Sequence, residues 1–175
     1  GPMPVLSIHK FRYIVTFTDI FSGYTEVKFL REKSEVPDKV IEYIEKVKVQ
    51  FNKKPKVFRS DRGTEYTNER LQLYLRQQGI TFQSTCGYSP EQNGISERKN
   101  RTLIEAARTM LIDSKLPQNL WPEAINEANY NLNRVVSKND KLKTPFEKFY
   151  SKTQDNKDFH EFGSDVYIFV PEILR

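Results

Sequence analysis

Val57-Phe58-Arg59-Ser60-Asp61-Arg62-Gly63-Thr64-Glu65-Tyr66 and Tyr88-Ser89-Pro90-Glu91-Gln92-Asn93-Gly94-Ile95-Ser96-Glu97-Arg98 are the stretches on which the reading of this chain turns. Asp61 ends a short apolar run that reads as a strand. Glu97 is expected to open a long basic helix, from about Ser96 to Ser114. Thirty-five residues lie between the two acids. Each alone has an ordinary explanation. An aspartate before Arg-Gly is usually a turn residue, and a glutamate in a first helical turn usually answers the helix dipole. The joint pattern is harder to explain that way.

The flanking segments suggest how such acids are carried. Arg12-Tyr13-Ile14-Val15-Thr16-Phe17-Thr18 is rich in β-branched and aromatic residues and predicts a strand. Asp19-Ile20-Phe21-Ser22-Gly23 supplies a turn, and Tyr24 to Leu30 a second strand, so an antiparallel hairpin is expected. Val40, Ile41, Ile44, Val47 and Phe51 recur at helical spacing, with Pro37 and Asp38 suited to the first turn. Asn68 is a natural cap for a helix from Glu69 to Gln78, and Gly79 its stop. Ile80-Thr81-Phe82 reads as a short strand, and Thr85 to Gly94 as a loop. In the two later helices, Leu103, Ile104, Ala107, Met110 and Leu111, then Trp121, Ile125, Ala128, Leu132 and Val135, mark buried stripes. Thr144 is expected to cap a short helix holding Pro145, Phe146 and Phe149. Asp155 to Asp158 reads as a polar loop and Val166 to Val170 as a last strand. Strands first, then alternation, then helices argue a mixed α/β sheet flanked by helices.

Bulk properties narrow the classes. At 175 residues one domain is the natural count. Twenty-eight Lys and Arg against twenty-three Asp and Glu give +5, a balance compatible with a polyanionic partner. The lone cysteine, Cys86, excludes an internal disulfide. One cysteine and two histidines cannot build a Cys/His zinc site. No signal peptide and no membrane-spanning apolar run are apparent.

Paired carboxylates on a strand end and a helix start suit hard divalent cations, which take carboxylate oxygens and keep waters. Two such ions roughly 4 Å apart activate an attacking oxygen and neutralise charge building on a phosphodiester. Ser60-Asp61-x-Gly63-x-Glu65-Tyr66 and Tyr88-Ser89-Pro90-x-x-Asn93-Gly94-x-Ser96-Glu97-Arg98 resemble the second and third acidic segments of the D,D(35)E integrases. Leu120-Trp121-Pro122-Glu123-Ala124, Asn129-Tyr130-x-x-Asn133-Arg134, Thr144-Pro145-Phe146-Glu147 and Phe162-Gly163 are similar to the later segments of copia-type retrotransposon integrases.

The resemblance implies a ribonuclease H-like fold, a mixed five-stranded sheet with helices on both sides and its first strand truncated. Residues 1–150 would be the catalytic core and 151–175 a C-terminal extension with a final strand. It implies metal-dependent joining of retroelement DNA 3′ ends to target DNA, with Mg²⁺ or Mn²⁺, two ions in the complete site, and Asp61 and Glu97 as ligands and catalytic acids. Tyr88, Gln92, Asn93, Asn100 and Arg101 would touch DNA; a polar loop or a solvated helix face is the plainer reading of each. The family's first aspartate would fall just before Gly1, so the chain is expected to carry two of three acids. Asp19 is a weaker substitute for the third. Partners implied are element-end and target DNA and further copies of the chain, at work in the nucleus after a cytoplasmic particle stage. Two other readings stay open. One is a non-catalytic DNA-binding or assembly module derived from such an element; the other is a ribonuclease H-like nuclease that cuts without joining.

Overall fold

A computed structural model describes residues 1–61, 63–84, 90–136, 142–154 and 159–167, the side chains at 90–93 and 95 excepted. The hairpin comes first: β1 (Tyr13–Thr18) pairs antiparallel with β2 (Thr25–Leu30), in register from Tyr13 opposite Leu30 to Thr18 opposite Thr25. Asp19 makes the turn. Its carboxylate accepts from the Ser22 N–H at 2.8 Å and the Ser22 hydroxyl at 2.6 Å. Gly23 closes it at φ +74, a left-handed shape that costs glycine little.

Both faces of the hairpin are covered, and its apolar side chains divide between two cores. Tyr13, Val15, Phe17 and Leu30 join one core with Val36, Val40, Ile44, Leu71, Leu75 and Ile80. Ile14, Val27 and Phe29 join a second core with Leu103, Ala107, Trp121, Ala124, Ile125 and Ala128. The side-chain alternation of a strand sends neighbours to opposite faces. The first core comes from α1 (Val36–Phe51) and α2 (Glu69–Gln77). In α1, Val40 and Ile44 are fully buried, and truncating such a side chain to alanine costs about 2–5 kcal/mol. Asn68 caps α2, accepting from the backbone of Arg70 at 3.0 Å and Leu71 at 3.4 Å. Gly79, at φ +65, follows it.

Through α2, β3 (Val57–Ser60) connects to β4 (Thr81–Ser84), and the two run parallel with Ser60 opposite Ser84. The chain therefore leaves both strands at one end, the end that carries Asp61. The second core comes from α3 (Pro90–Ser114) and α4 (Trp121–Arg134), with α5 (Pro145–Tyr150) behind them. Thr144 caps α5 through a reciprocal pair with Glu147, as the Thr-x-x-Glu spacing predicts. No described helix is long and apolar enough to cross a membrane.

Among the described residues the strands pair as two two-stranded sheets, and the mixed α/β class with flanking helices stands as expected. Three expectations need correction. Val166 and Tyr167 pair with no strand and stand in solvent; Ile168 to Val170 lie outside the described residues, as do Asp155 to Asp158. The stretch expected to be loop through Gly94 is helical from Pro90 onward. Proline's fixed φ suits a first helical position, and one glycine inside a helix costs only about 1 kcal/mol. The stripe of α4 turns after Ala128. Leu132 and Val135 are exposed and Asn133 is buried instead, because it bonds the hairpin.

Candidate active site

Asp61 stands immediately beyond β3, exposed, with a local device holding its carboxylate. Its Oδ1 accepts from the Gly63 N–H at 3.2 Å, an Asx turn that re-aims the chain. Glu65 folds back over this turn. A methyl group placed on Gly63 would meet the Glu65 carboxylate at 2.7 Å. Tyr66 lies beside both acids. Burial first, then the charges of Asp61 and Glu65, push its hydroxyl up to about 12. Glu65 and Tyr66 were legible only as letters of a motif; their place against Asp61 comes from the turn.

Glu97 is exposed in the second turn of α3, since that helix begins at Pro90. The dipole's help fades within the first turn, so the helix end contributes less to this carboxylate than a first-turn position would. What fixes Glu97 is the helix just after it. The Thr16 hydroxyl of β1 donates to Asn100 Oδ1 at 2.7 Å. The Lys99 ammonium donates to the Gly23 carbonyl and, at 3.3 Å, to the Thr25 hydroxyl. Burial lowers the Lys99 pKa, with Asp19 opposing it. Lys99 therefore faces the hairpin, not a solvated basic surface. The signal was present: Lys99 precedes the buried Leu103 by four residues, one turn along the same face. Asn100, expected to touch DNA, has its carboxamide oxygen committed to Thr16. Arg101 is exposed. Asp19 spends one oxygen on its own turn and faces Lys99 rather than standing free as a ligand.

The Asn129-Tyr130-x-x-Asn133-Arg134 segment completes this clamp. Asn133 accepts from the Thr25 N–H at 2.9 Å and donates to the Thr25 carbonyl at 2.7 Å; Asn129 donates to the same carbonyl at 3.0 Å. The Arg134 guanidinium lies 3.5 Å from the Tyr130 ring centroid and 4.4 Å from that of Phe146. Sequence reading noted these four residues without a role. The structure gives them one: they tie α4 to the hairpin and to α5.

Tyr88 lies outside the described residues, and the side chains of Gln92 and Asn93 likewise. Asp61 and Glu97 offer hard oxygen donors in exposed positions, which fits a hydrated divalent cation in kind. Among the described residues, no three His, Cys, Asp or Glu side chains gather as a ready ligand set.

Comparison with known proteins follows the same lines. The family described as Integrase core domain matches residues 2–90. The Retrovirus-related Pol polyprotein from transposon RE2 of Arabidopsis thaliana is 35% identical over 164 residues, covering 94% of this chain and 11% of that protein. The corresponding polyprotein from transposon TNT 1-94 of Nicotiana tabacum is 33% identical over 175 residues, covering 100% of this chain and 13% of that protein. The chain thus spans about a tenth of the length of these relatives. Among solved structures, the HTLV-2 integrase catalytic core domain, in complex with magnesium, superposes with a TM-score of 0.59 at 21% identity, covering 81% of this chain and 87% of that one. The shared fold is that of the retroviral integrase catalytic cores, ribonuclease H-like with mixed strands and helices.

Proposed function

The chain belongs to the integrase core domain family of retroelement Pol polyproteins, and from that premise we propose that it serves metal-dependent polynucleotidyl transfer, joining the 3′ ends of retroelement DNA to target DNA. The observation that carries the proposal is the pair Asp61 and Glu97 with thirty-five residues between them, on matching segments. β3 and β4 run parallel, so Asp61 and the approach to α3 leave from one sheet end. Clefts at the carboxyl ends of parallel strands are where such folds bind ligands.

In this reading Asp61 and Glu97 hold the ions. Mg²⁺ or Mn²⁺, when bound, supplies neutralisation of charge on the phosphodiester and a lower pKa for the attacking hydroxyl. The residues of the chain do the positioning. Asp61 has a short side chain fixed by its turn to Gly63. Glu97 reaches further, on a helix held by Lys99 and Asn100. The 3′-hydroxyl of one DNA loses its proton and attacks a phosphorus of the other in line; the new P–O bond forms as the target's own P–O3′ bond breaks, the departing oxygen takes up a proton as a 3′-hydroxyl, and no covalent enzyme intermediate forms. Tyr88, Gln92, Asn93 and Arg101 are proposed to line the path of the DNA. A third carboxylate, two ions, multimers on paired DNA ends and action in the nucleus belong to the same proposal.

The test is a strand-joining assay in Mg²⁺ and in Mn²⁺, on this chain and on the chain extended by upstream residues of its polyprotein. We expect weak or no joining by the chain itself and rescue by the extension. In the extended chain, Asp61→Asn and Glu97→Gln should each reduce joining by about 10³-fold or more. Full joining rate in either variant would remove that acid from the site.

A further inference from the structure

The start of the chain lies against the second core, where Met3 and Phe11 pack. Its backbone is tied at several points. The Met3 N–H donates to the Arg12 carbonyl at 2.7 Å, and the Ser7 N–H to the Phe11 carbonyl at 3.1 Å. The Trp121 indole N–H donates to the Val5 carbonyl at 2.9 Å. These bonds fix residues 3–5 as a strap beside α3 and α4. Between strap and helices lies a cavity of about 510 Å³. Its walls are apolar, with Val5, Ile104, Leu111, Leu116, Trp121 and Ile125 facing it. Ile112, another lining residue, is 71% exposed, so the cavity opens to solvent there. The charged residues along the lining are Arg108 and Lys115, both exposed. Among the described residues neither side chain has a hydrogen bond or an ion pair, even with Glu105 or Asp113, the acids nearest in sequence.

We propose that this cavity binds a small amphipathic acid, an apolar chain or ring system ending in a carboxylate, with Arg108 and Lys115 holding the anionic end. Pockets for small ligands occupy about 300–1,000 Å³ and pair apolar walls with a few polar groups that fix orientation. Removing the apolar body from water drives entry. The two cations then choose the sign of the head group. A neutral oil leaves both unused, an amine is repelled by both, and an acid answers both. A strap on one side and helices on the others favour a compact ligand over a protein segment, which needs an open run. The site stands apart from the acids: its lining on α3 begins at Ile104, about two turns beyond Glu97. The proposal therefore does not depend on the joining reaction.

Trp121 is the chain's one tryptophan and lines the cavity, so its emission reports occupancy. The experiment titrates the chain with dodecanoate, dodecanol and dodecylamine below their micelle concentrations, following Trp121 emission and heat by calorimetry. Dodecanoate should bind about fivefold more tightly than dodecanol, and dodecylamine more weakly than either. Arg108→Gln with Lys115→Gln should weaken dodecanoate about fivefold and leave dodecanol unchanged. Val5→Phe fills part of the cavity and should abolish the response to both. Circular dichroism checks the fold of each variant. Should Val5→Phe fail to fold, Ile104→Phe gives the same reading. Equal affinity for the acid and the amine overturns the proposal, as does dodecanoate binding that the folded double variant keeps in full. Silence of both Trp121 and calorimetry toward all three compounds also overturns it. So does an acidic amphipathic peptide that binds more tightly than dodecanoate and is lost in the same variants, since the occupant is then a protein segment.

Discussion

Asp61 and Glu97 are held in place by opposite means. Asp61 depends on its neighbours in sequence: β3 before it, a 3.2 Å bond to Gly63 after it, and Glu65 folded over the turn. Glu97 depends on the hairpin, through Lys99 to Gly23 across 76 positions and Asn100 to Thr16 across 84. A local device tolerates change around it, because each bond is made by residues already near each other. A long-range device spans two packed cores. Damage to it should travel, since the α4 clamp on Thr25 bears on the same hairpin.

The contrast can be broken by experiment, beyond the loss of joining expected from Asp61→Asn and Glu97→Gln. Among the residues that tie elements to the hairpin and to Asp61, the largest stability effect is expected from Asn133→Ala. Asn133 is 3% exposed and makes two bonds to Thr25. Its loss leaves a buried N–H without its acceptor, and should cost about 2–3 kcal/mol in urea unfolding. A cost below about 1 kcal/mol would show the clamp to be incidental. Lys99→Met comes next, and its signature is a pH dependence. Burial sets the folded pKa of Lys99 below the ordinary 10.5. The unfolded chain therefore holds that proton longer, and stability from this group rises with pH between the two values. The methionine variant should lose that alkaline rise while differing by about 1 kcal/mol or less at neutral pH. An identical rise in both proteins would mean the ammonium does not feel burial. Smallest is Gly63→Ala. The residue sits at φ −55, open to alanine, and the added methyl meets only the far end of Glu65. Unfolding should shift by about 0.5 kcal/mol or less; a loss above 1.5 would show Glu65 to be fixed more firmly than its turn requires.

The same contrast explains what the sequence disclosed. The turn of the hairpin, the Asn68 cap and the Thr144 cap all rest on bonds between residues a few positions apart. Periodicity and turn chemistry expose such features directly. The two acids were singled out for a different reason: their residue types and spacing match a known family. Asn133 was not legible, because a polar residue in a helix declares its partner only after folding. Leu132 beside it looked like core and is not. Lys99 was not legible either, since hydropathy weighs its charge but not the Gly23 carbonyl that it meets in the hairpin. The helical start at Pro90 was missed because two glycines and an asparagine suggested loop, while the proline that opens the helix was read as another breaker.

Thr25 begins β2, a strand with β1 on one side and no second ladder among the described residues. Its outward N–H and carbonyl are met instead by the carboxamide of Asn133, which gives and takes one hydrogen bond as a neighbouring backbone would. An unpaired strand edge invites another copy to zip onto it. Here one side chain counterfeits the missing neighbour at the first rung, so that fibril-like addition along this edge finds its starting position already taken.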